Sequence, residues 1–133
     1  MKERFDEGRM LHRDDACLVI NKACGEAMEG AGKDAVDLPA LLAEAVGTGL
    51  TAGGKVFPPT AVHRIDVPVT GCALFARTPE ALAFLNTCFA DGRARKTYWA
   101  VVEPPRDGAA PAEAAELRSE ERRVGKECRS RWS

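Results

Sequence analysis

Ala61-Val62-His63-Arg64-Ile65-Asp66-Val67-Pro68-Val69-Thr70-Gly71-Cys72-Ala73-Leu74-Phe75-Ala76 is the stretch whose reading decides the fold. Pro58-Pro59 stops any helix ahead of it, and Thr60 to Ile65 leans towards β structure up to Asp66. Pro68 and Gly71 punctuate a turn, and Cys72 to Ala76 is an apolar run of strand length. Strand, turn, strand therefore frames Asp66, with Arg64 two positions before it. A carboxylate and a guanidinium at a strand end stand on a rigid scaffold, a common setting for catalytic groups. A bare Arg-x-Asp is more often an ordinary structural ion pair or turn cap than a catalytic pair, so the pair alone assigns no chemistry.

Downstream, Thr78-Pro79-Glu80 opens the clearest helix of the chain, with a capping hydroxyl, proline in the first turn and an acid near the positive end of the dipole. Leu82, Leu85 and Phe89 recur at spacings of three and four beside Ala81 and Cys88, which predicts one face packed on the core. Gly92 closes the helix, and Lys96 to Glu103 reads as a further strand. Pro104-Pro105 to Pro111 reads as a linker.

Upstream, Arg9 to Arg13 is a short strand and Asp14-Asp15 a turn, since short carboxylate side chains bond their own backbone. Cys17 to Asn21 is a continuous apolar run, expected to be a strand covered on both faces or nearly so. Glu26 to Asp37 reads as a loop. Asp37 then caps a helix over Leu38 to Val46 with Pro39 in its first turn, and Gly47, Gly49, Gly53 and Gly54 end it in a flexible connection. No spacing among these glycines matches a phosphate-cradling loop.

A chain of 133 residues, 45% hydrophobic and 29% charged, suits one ordinary globular domain. It holds no apolar run of membrane-spanning length and no signal-peptide core at its charged start, so a cytoplasmic location without membrane association is expected. Its 5 cysteines, Cys17, Cys24, Cys72, Cys88 and Cys128, show no C-x-x-C spacing. They are read as small buried hydrophobes, with neither a metal site nor a disulfide framework.

Arg118 to Ser133, RSEERRVGKECRSRWS, looks like the in-frame translation of a short-read sequencing adapter, the match running without a gap from Arg118 to Cys128. The expected organisation is therefore a genuine segment over 1–117 and an artefactual tail over 118–133. Taking the tail's six basic and three acidic residues from 19 Lys+Arg and 20 Asp+Glu leaves 13 against 17, a net charge of −4. RNA-binding domains usually carry a basic footprint, so overall charge weighs against an RNA partner unless a local patch supplies it.

Taken together, His63-Arg64-Ile65-Asp66, Thr70-Gly71, Leu74-Phe75-Ala76 and Lys96-Thr97-Tyr98-Trp99-Ala100-Val101-Val102 resemble the RluA-type RNA pseudouridine synthases. The pattern of that family is His-Arg-Leu-Asp, a turn with Ser or Thr before Gly, an apolar strand, a helix, and Lys-x-Tyr-x-Ala-x-Val. Leu18-Val19-Ile20-Asn21-Lys22 is similar to the family's early strand, and the resemblance runs from about Leu11 to Glu103. It implies an α+β fold with a mixed, largely antiparallel sheet and packed helices, around a cleft that receives a flipped uridine. The implied reaction breaks the glycosidic bond, turns the uracil and rejoins it through carbon, with no cofactor and no metal.

By the same resemblance Asp66 matches the essential aspartate, and Tyr98 the tyrosine that stacks on the uracil. A positioned carboxylate can attack the sugar or take a proton from it, and the residues leave both roles open. Arg64 matches a residue that enters the RNA stack vacated by the flipped base. Lys96 reads as a supporting or phosphate-contacting charge, and His63 as structural.

Ile65 stands where the family has Leu, Thr70 keeps the hydroxyl of Ser, and Ala23-Cys24 replaces Pro-Ala. The family's Gly-Arg-x-His-Gln-x-Arg segment, whose arginine pairs with the aspartate, is expected beyond Glu103 and is not found there. Nor is an N-terminal S4-type RNA-binding domain evident. The sequence therefore predicts an rRNA- or tRNA-modifying isomerase without an obligate protein partner, truncated, inactive and marginally stable as this chain. The alternative is a non-catalytic RNA-binding fragment or paralogue.

Overall fold

The computed structural model describes residues 4–32 and 35–101. They fall into a compact unit ending at Lys96 and the start of a second unit at Thr97. Within the first, a 3-10 turn at Glu7–Arg9 leads into β1 (Met10–Arg13), and β2 (Cys17–Lys22) follows a tight turn. Next come β3 (Glu26–Ala27), β4 (Val36–Asp37) and helix α1 (Leu38–Val46). Then β5 (Gly49–Leu50), β6 (Val56–Phe57), β7 (Thr60–Ala61), β8 (Gly71–Ala76) and helix α2 (Pro79–Ala90) complete it.

The principal sheet has the order β1-β2-β8-β7, with every pair antiparallel. Its centre is β2 against β8, paired from Cys17↔Ala76 through to Lys22↔Gly71. Side chains alternate across a strand, so Leu18, Ile20 and Lys22 share one face with Ala73 and Phe75 of β8. That face is the core: Leu18, Ile20, Ala73 and Phe75 are fully buried together with Leu38 and Leu42 of α1. Leu38, Leu42 and Val46 recur every four residues, so α1 lays a single stripe on the sheet. Phe5, Met28 and Ile65 close the cluster from the loops.

Both helices begin as capping chemistry dictates. Asp37 accepts the N–H of Ala40 at 3.3 Å, and Thr78 Oγ1 accepts the N–H of Ala81 at 3.1 Å, with a proline in the first turn of each. Gly49 in the β5–β6 hairpin is required by space, since a Cβ there would lie 2.0 Å from the Arg77 carbonyl oxygen.

The fold is thus α+β with a largely antiparallel sheet, the parallel β3–β4 pair making it mixed. Several local expectations need correction. β2 is buried on one face only: Cys17 and Val19 are half-buried because the opposite face is incompletely covered. α2 presents the expected residues Ala81, Leu82, Leu85, Cys88 and Phe89 to the protein, yet none is fully buried, for the same reason. Cys24 and Cys72 are exposed and Cys17 and Cys88 half-buried, so none of the four is a core hydrophobe, while Cys128 lies outside the described residues. The Glu26 to Asp37 segment is not wholly loop, and Glu26, Ala27 and Met28 are buried.

Lys96 to Val101 forms no strand, and Trp99 and Val101 are fully exposed. A strand exists only where a neighbour accepts its ladder, and no partner strand for this segment is present among the described residues. The linker and the tail over 118–133 lie outside them.

Burial separates two phenylalanines that composition cannot. Phe75→Ala is expected to cost about 3–5 kcal/mol, whereas Phe84→Ala, at a site 60% exposed, should stay within about 0.5 kcal/mol. Urea denaturation midpoints of the two variants measure the difference.

Candidate active site

Asp66 sits in the connection from β7 to β8, which is a long loop rather than a tight turn because the β7 strand ends already at Ala61. Ile65, 9% exposed, anchors the loop in the core, and Val69 packs against the same cluster. Asp66 and Val69 close a turn through the bond from the Val69 N–H to the Asp66 carbonyl at 3.0 Å. Between two apolar anchors the Asp66 side chain is turned outward and exposed.

The backbone beneath it is held by a residue of another strand. Register places Lys22 opposite Gly71, at the end of β2 where the loop rejoins the sheet, and alternation turns its side chain to the core face. Lys22 is 1% exposed, and its Nζ donates to the carbonyls of Asp66 and Val67 at 3.1 Å each, of Val69 at 2.6 Å and of Ala23 at 3.1 Å. Three N–H groups thus serve four acceptors, so at least one proton is shared. Burial pulls the Lys22 ammonium below its usual range, opposed by the charges of Glu26 and Asp66.

A buried ion pair stands beside the Lys22 ammonium. Glu26, buried, accepts from Arg9 through both carboxylate oxygens, one bond measuring 2.8 Å, and also accepts the N–H of Ala23 at 2.7 Å. The hydrogen bond from Arg9 holds that guanidinium still more firmly in its charged form. Gly25 adds a further tie: with φ at +89° it aims its N–H at the Val67 carbonyl, 3.0 Å away. A side chain at that dihedral is strained, which is why glycine follows the strand here.

Arg64 is exposed and meets Glu29 at 3.4 Å. Such a surface pair contributes little and leaves the guanidinium available to a ligand. Among the described residues the Asp66 carboxylate has no hydrogen bond and no ion pair, so Arg64 is its sequence neighbour and not its partner.

His63 is the better-fixed neighbour. Its Nε2 accepts the N–H of Leu74 at 3.2 Å, and its ring stacks on Phe89 of α2 with centroids 5.2 Å apart. Accepting that bond requires an unprotonated Nε2, so the neutral ring carries its proton on Nδ1, a buried atom beside the Arg64 backbone with no well-aligned hydrogen bond among the described residues. Burial pushes the imidazole below its ordinary value, with the Lys96 charge acting in the same direction.

Lys96 is exposed, its ammonium 5.2 Å from the centre of the Phe89 ring on which His63 stacks. Tyr98 belongs to the unit that starts at Thr97 and is 59% exposed. The structure therefore groups Asp66, Arg64 and His63 on one loop and Lys96 with Phe89 on α2. Sequence reasoning passed over Lys22 and Glu26. The available signal was a charged residue at an inward position of an otherwise apolar strand.

Lys22→Met should destabilise the unit by roughly 2–4 kcal/mol. The Asp66 and Val67 carbonyls keep the Val69 and Gly25 donors, while those of Ala23 and Val69 are left without one. Chemical denaturation reads the cost, and amide exchange at Val67 and Val69 reads the loosened turn. For His63, a folded value below the ordinary 6.5 means that the unfolded chain takes up a proton before the folded one. Stability is then lost as pH falls from that ordinary value towards the lowered one. Melting curves between about pH 7.5 and about pH 5.5 should show the loss, and His63→Gln should flatten it.

Comparison with known proteins places this geometry in context. A family model described as RNA pseudouridylate synthase matches residues 16–133. An uncharacterized RNA pseudouridine synthase of Zymomonas mobilis is 33% identical over 95 residues, covering 71% of this chain and 41% of that protein. A counterpart in Synechocystis is 35% identical, covering 70% of this chain and 28% of its own length. The ribosomal large subunit pseudouridine synthase D of Zymomonas mobilis is 34% identical, with 71% and 30% covered. Among solved structures, human RNA pseudouridylate synthase domain containing 4 superposes with a TM-score of 0.48 at 25% identity, over 63% of this chain and 30% of that one. The chain thus spans well under half the length of these relatives. With a family match running over most of its length, the chain belongs to the RNA pseudouridylate synthase family.

Proposed function

We propose that this protein isomerises uridine to pseudouridine in rRNA or tRNA, in the cytoplasm, with Asp66 as the catalytic carboxylate. One observation carries the reading: the Asp66 backbone is tied down by Lys22 and by the Val69 N–H, while its carboxylate points outward, exposed and unengaged by the described residues. Fixing the backbone and freeing the side chain is what a nucleophile or base needs, because the ordering cost is met before the substrate arrives.

In this proposal the target uridine is extruded from the RNA, at a cost of a few kcal/mol, and Arg64 enters the vacated stack. Tyr98 supplies a ring for the uracil and a hydroxyl for proton transfer, and Lys96 a charge for a phosphate. Substrate and product are isomers of the same oxidation state, so bond exchange and proton transfer suffice, and no cofactor or metal is assigned. No membrane and no obligate protein partner enters the scheme. The chain by itself is read as inactive, since the Asp66 carboxylate forms no ion pair among the described residues and only the distant field of Lys22 acts on it. A second reading, a non-catalytic RNA-binding fragment or paralogue, draws on that same unpaired carboxylate.

The assay is release of tritium from RNA whose uracils carry it on the carbon that becomes bonded to the sugar. The chain extended by its uninterrupted downstream reading frame should release it from rRNA or tRNA, and Asp66→Ala should lower the rate by at least about 100-fold. The 133-residue chain alone should release none. Equal activity, or equal inactivity, of extended wild type and Asp66→Ala removes the enzyme reading in favour of the second.

A further inference from the structure

At the opposite end of β2 from Lys22, about 16 Å along the strand, three side chains of different donor type converge on the β1–β2 turn. We propose that His12, Asp14 and Cys17 form a three-ligand binding site for a divalent transition cation of the zinc class. The inference does not rest on the proposed catalytic function, since it shares no residue with the Asp66 loop.

The register brings the donors together. His12 pairs with Val19, and alternation puts Val19 and Cys17 on the face of β2 away from the buried Leu18 and Ile20. His12 therefore projects on the same side as Cys17, with Asp14 in the turn between them. His12 Nε2 lies 2.9 Å from Asp14 Oδ2, Cys17 Sγ lies 4.0 Å from the same oxygen, and the three donor atoms all fall within 4.8 Å of one another. Tetrahedral coordination at bonds of about 2.0–2.3 Å sets donors about 3.4–3.6 Å apart. His12 and Asp14 are about half-exposed and Cys17 half-buried, so their side-chain torsions are free to adjust towards that spacing.

The backbone beneath the donors is already fixed. Asp14 Oδ1 accepts the N–H groups of Ala16 at 2.8 Å and Cys17 at 2.7 Å, which aims Oδ2 at the other two ligands. The Asp14 N–H donates to the Cys17 carbonyl at 3.1 Å. From outside the turn, Arg77 Nη1 donates to the Asp14 carbonyl at 2.6 Å and the Arg77 N–H to the Ala16 carbonyl at 2.8 Å. Hydrogen bonds to a ligand's other oxygen, and to the backbone that carries it, orient the donors and raise affinity.

The donor set selects the cation. Magnesium and calcium take oxygen ligands, whereas a thiolate, an imidazole and one carboxylate suit zinc, and three protein ligands leave a fourth position for water. Carboxylate and thiolate together balance a double positive charge. The 2.9 Å approach of His12 Nε2 to Asp14 Oδ2 holds one proton between them, and the cation takes its place. The thiolate is the ligand, so the cation also displaces the proton from the Cys17 sulfur. Those protons pass to solvent as the metal bonds form, and no electron changes hands.

Cobalt(II) titration of the full chain is the test, because a cobalt–thiolate bond gives a charge-transfer absorption in the near ultraviolet and zinc removes it on displacing cobalt. Wild type should show the band at one equivalent of cobalt, and Cys24→Ser and Cys72→Ser should keep it. Cys17→Ser should abolish it, and His12→Gln should weaken binding at least about tenfold, with circular dichroism confirming that both variants stay folded. Absence of the band in wild type overturns the site. So does a band that survives Cys17→Ser, or one that requires Cys17 but is indifferent to His12→Gln.

Discussion

One buried ammonium organises the loop on which the proposed chemistry stands. Lys22 reaches from the end of β2 into a nest of four carbonyls contributed by its own exit turn and by the Asp66 loop. Burying a lone charge is costly unless every hydrogen-bonding position is met, and here the acceptors outnumber the protons. The interaction is consequently all or nothing: the loop must take the conformation that presents its carbonyls, or the charge is left stranded. A stretch of nine residues between β7 and β8 would otherwise have many conformations, and its entropy is overcome by a residue distant in sequence.

The network extends outward from Lys22 in a consistent direction. Glu26 places a buried negative charge beside the positive one, and Arg9 from the N-terminal turn neutralises Glu26 in its turn. Charged groups thus alternate from the surface into the rim of the core, each satisfied by the next. An apolar replacement of Arg9 and Glu26 would remove little net stability, since buried ion pairs stabilise little over well-packed hydrophobes, whereas one at Lys22 strands backbone carbonyls. What the charges add is specificity of loop conformation, a property that matters where a carboxylate has to be aimed.

The two ends of β2 illustrate how one strand can serve two sites without coupling them. At Lys22 a long side chain enters the core face, and at Cys17 a short one stays on the half-covered face with His12 and Asp14. The strand between is locked by full antiparallel pairing with β8. Each cluster is therefore built on a rigid element, with loops contributing only the final geometry.

The sequence by itself determined the elements whose signals are local. Asp37 and Thr78 with their following prolines announced both helices, because a cap and a first turn involve only adjacent residues. The apolar runs at Cys17 and Cys72 announced β2 and β8, and the linked motifs around Asp66 and Tyr98 pointed to the family. Tertiary structure alone decided the rest. Burial of Lys22 depends on carbonyls 44 to 47 residues away, and that of Glu26 on a guanidinium 17 residues away, which no local pattern encodes. The segment at Lys96 has strand composition, but a ladder needs a partner and composition supplies none. Convergence of His12, Asp14 and Cys17 required the register of β1 on β2, bulge included, and register is a property of two strands together.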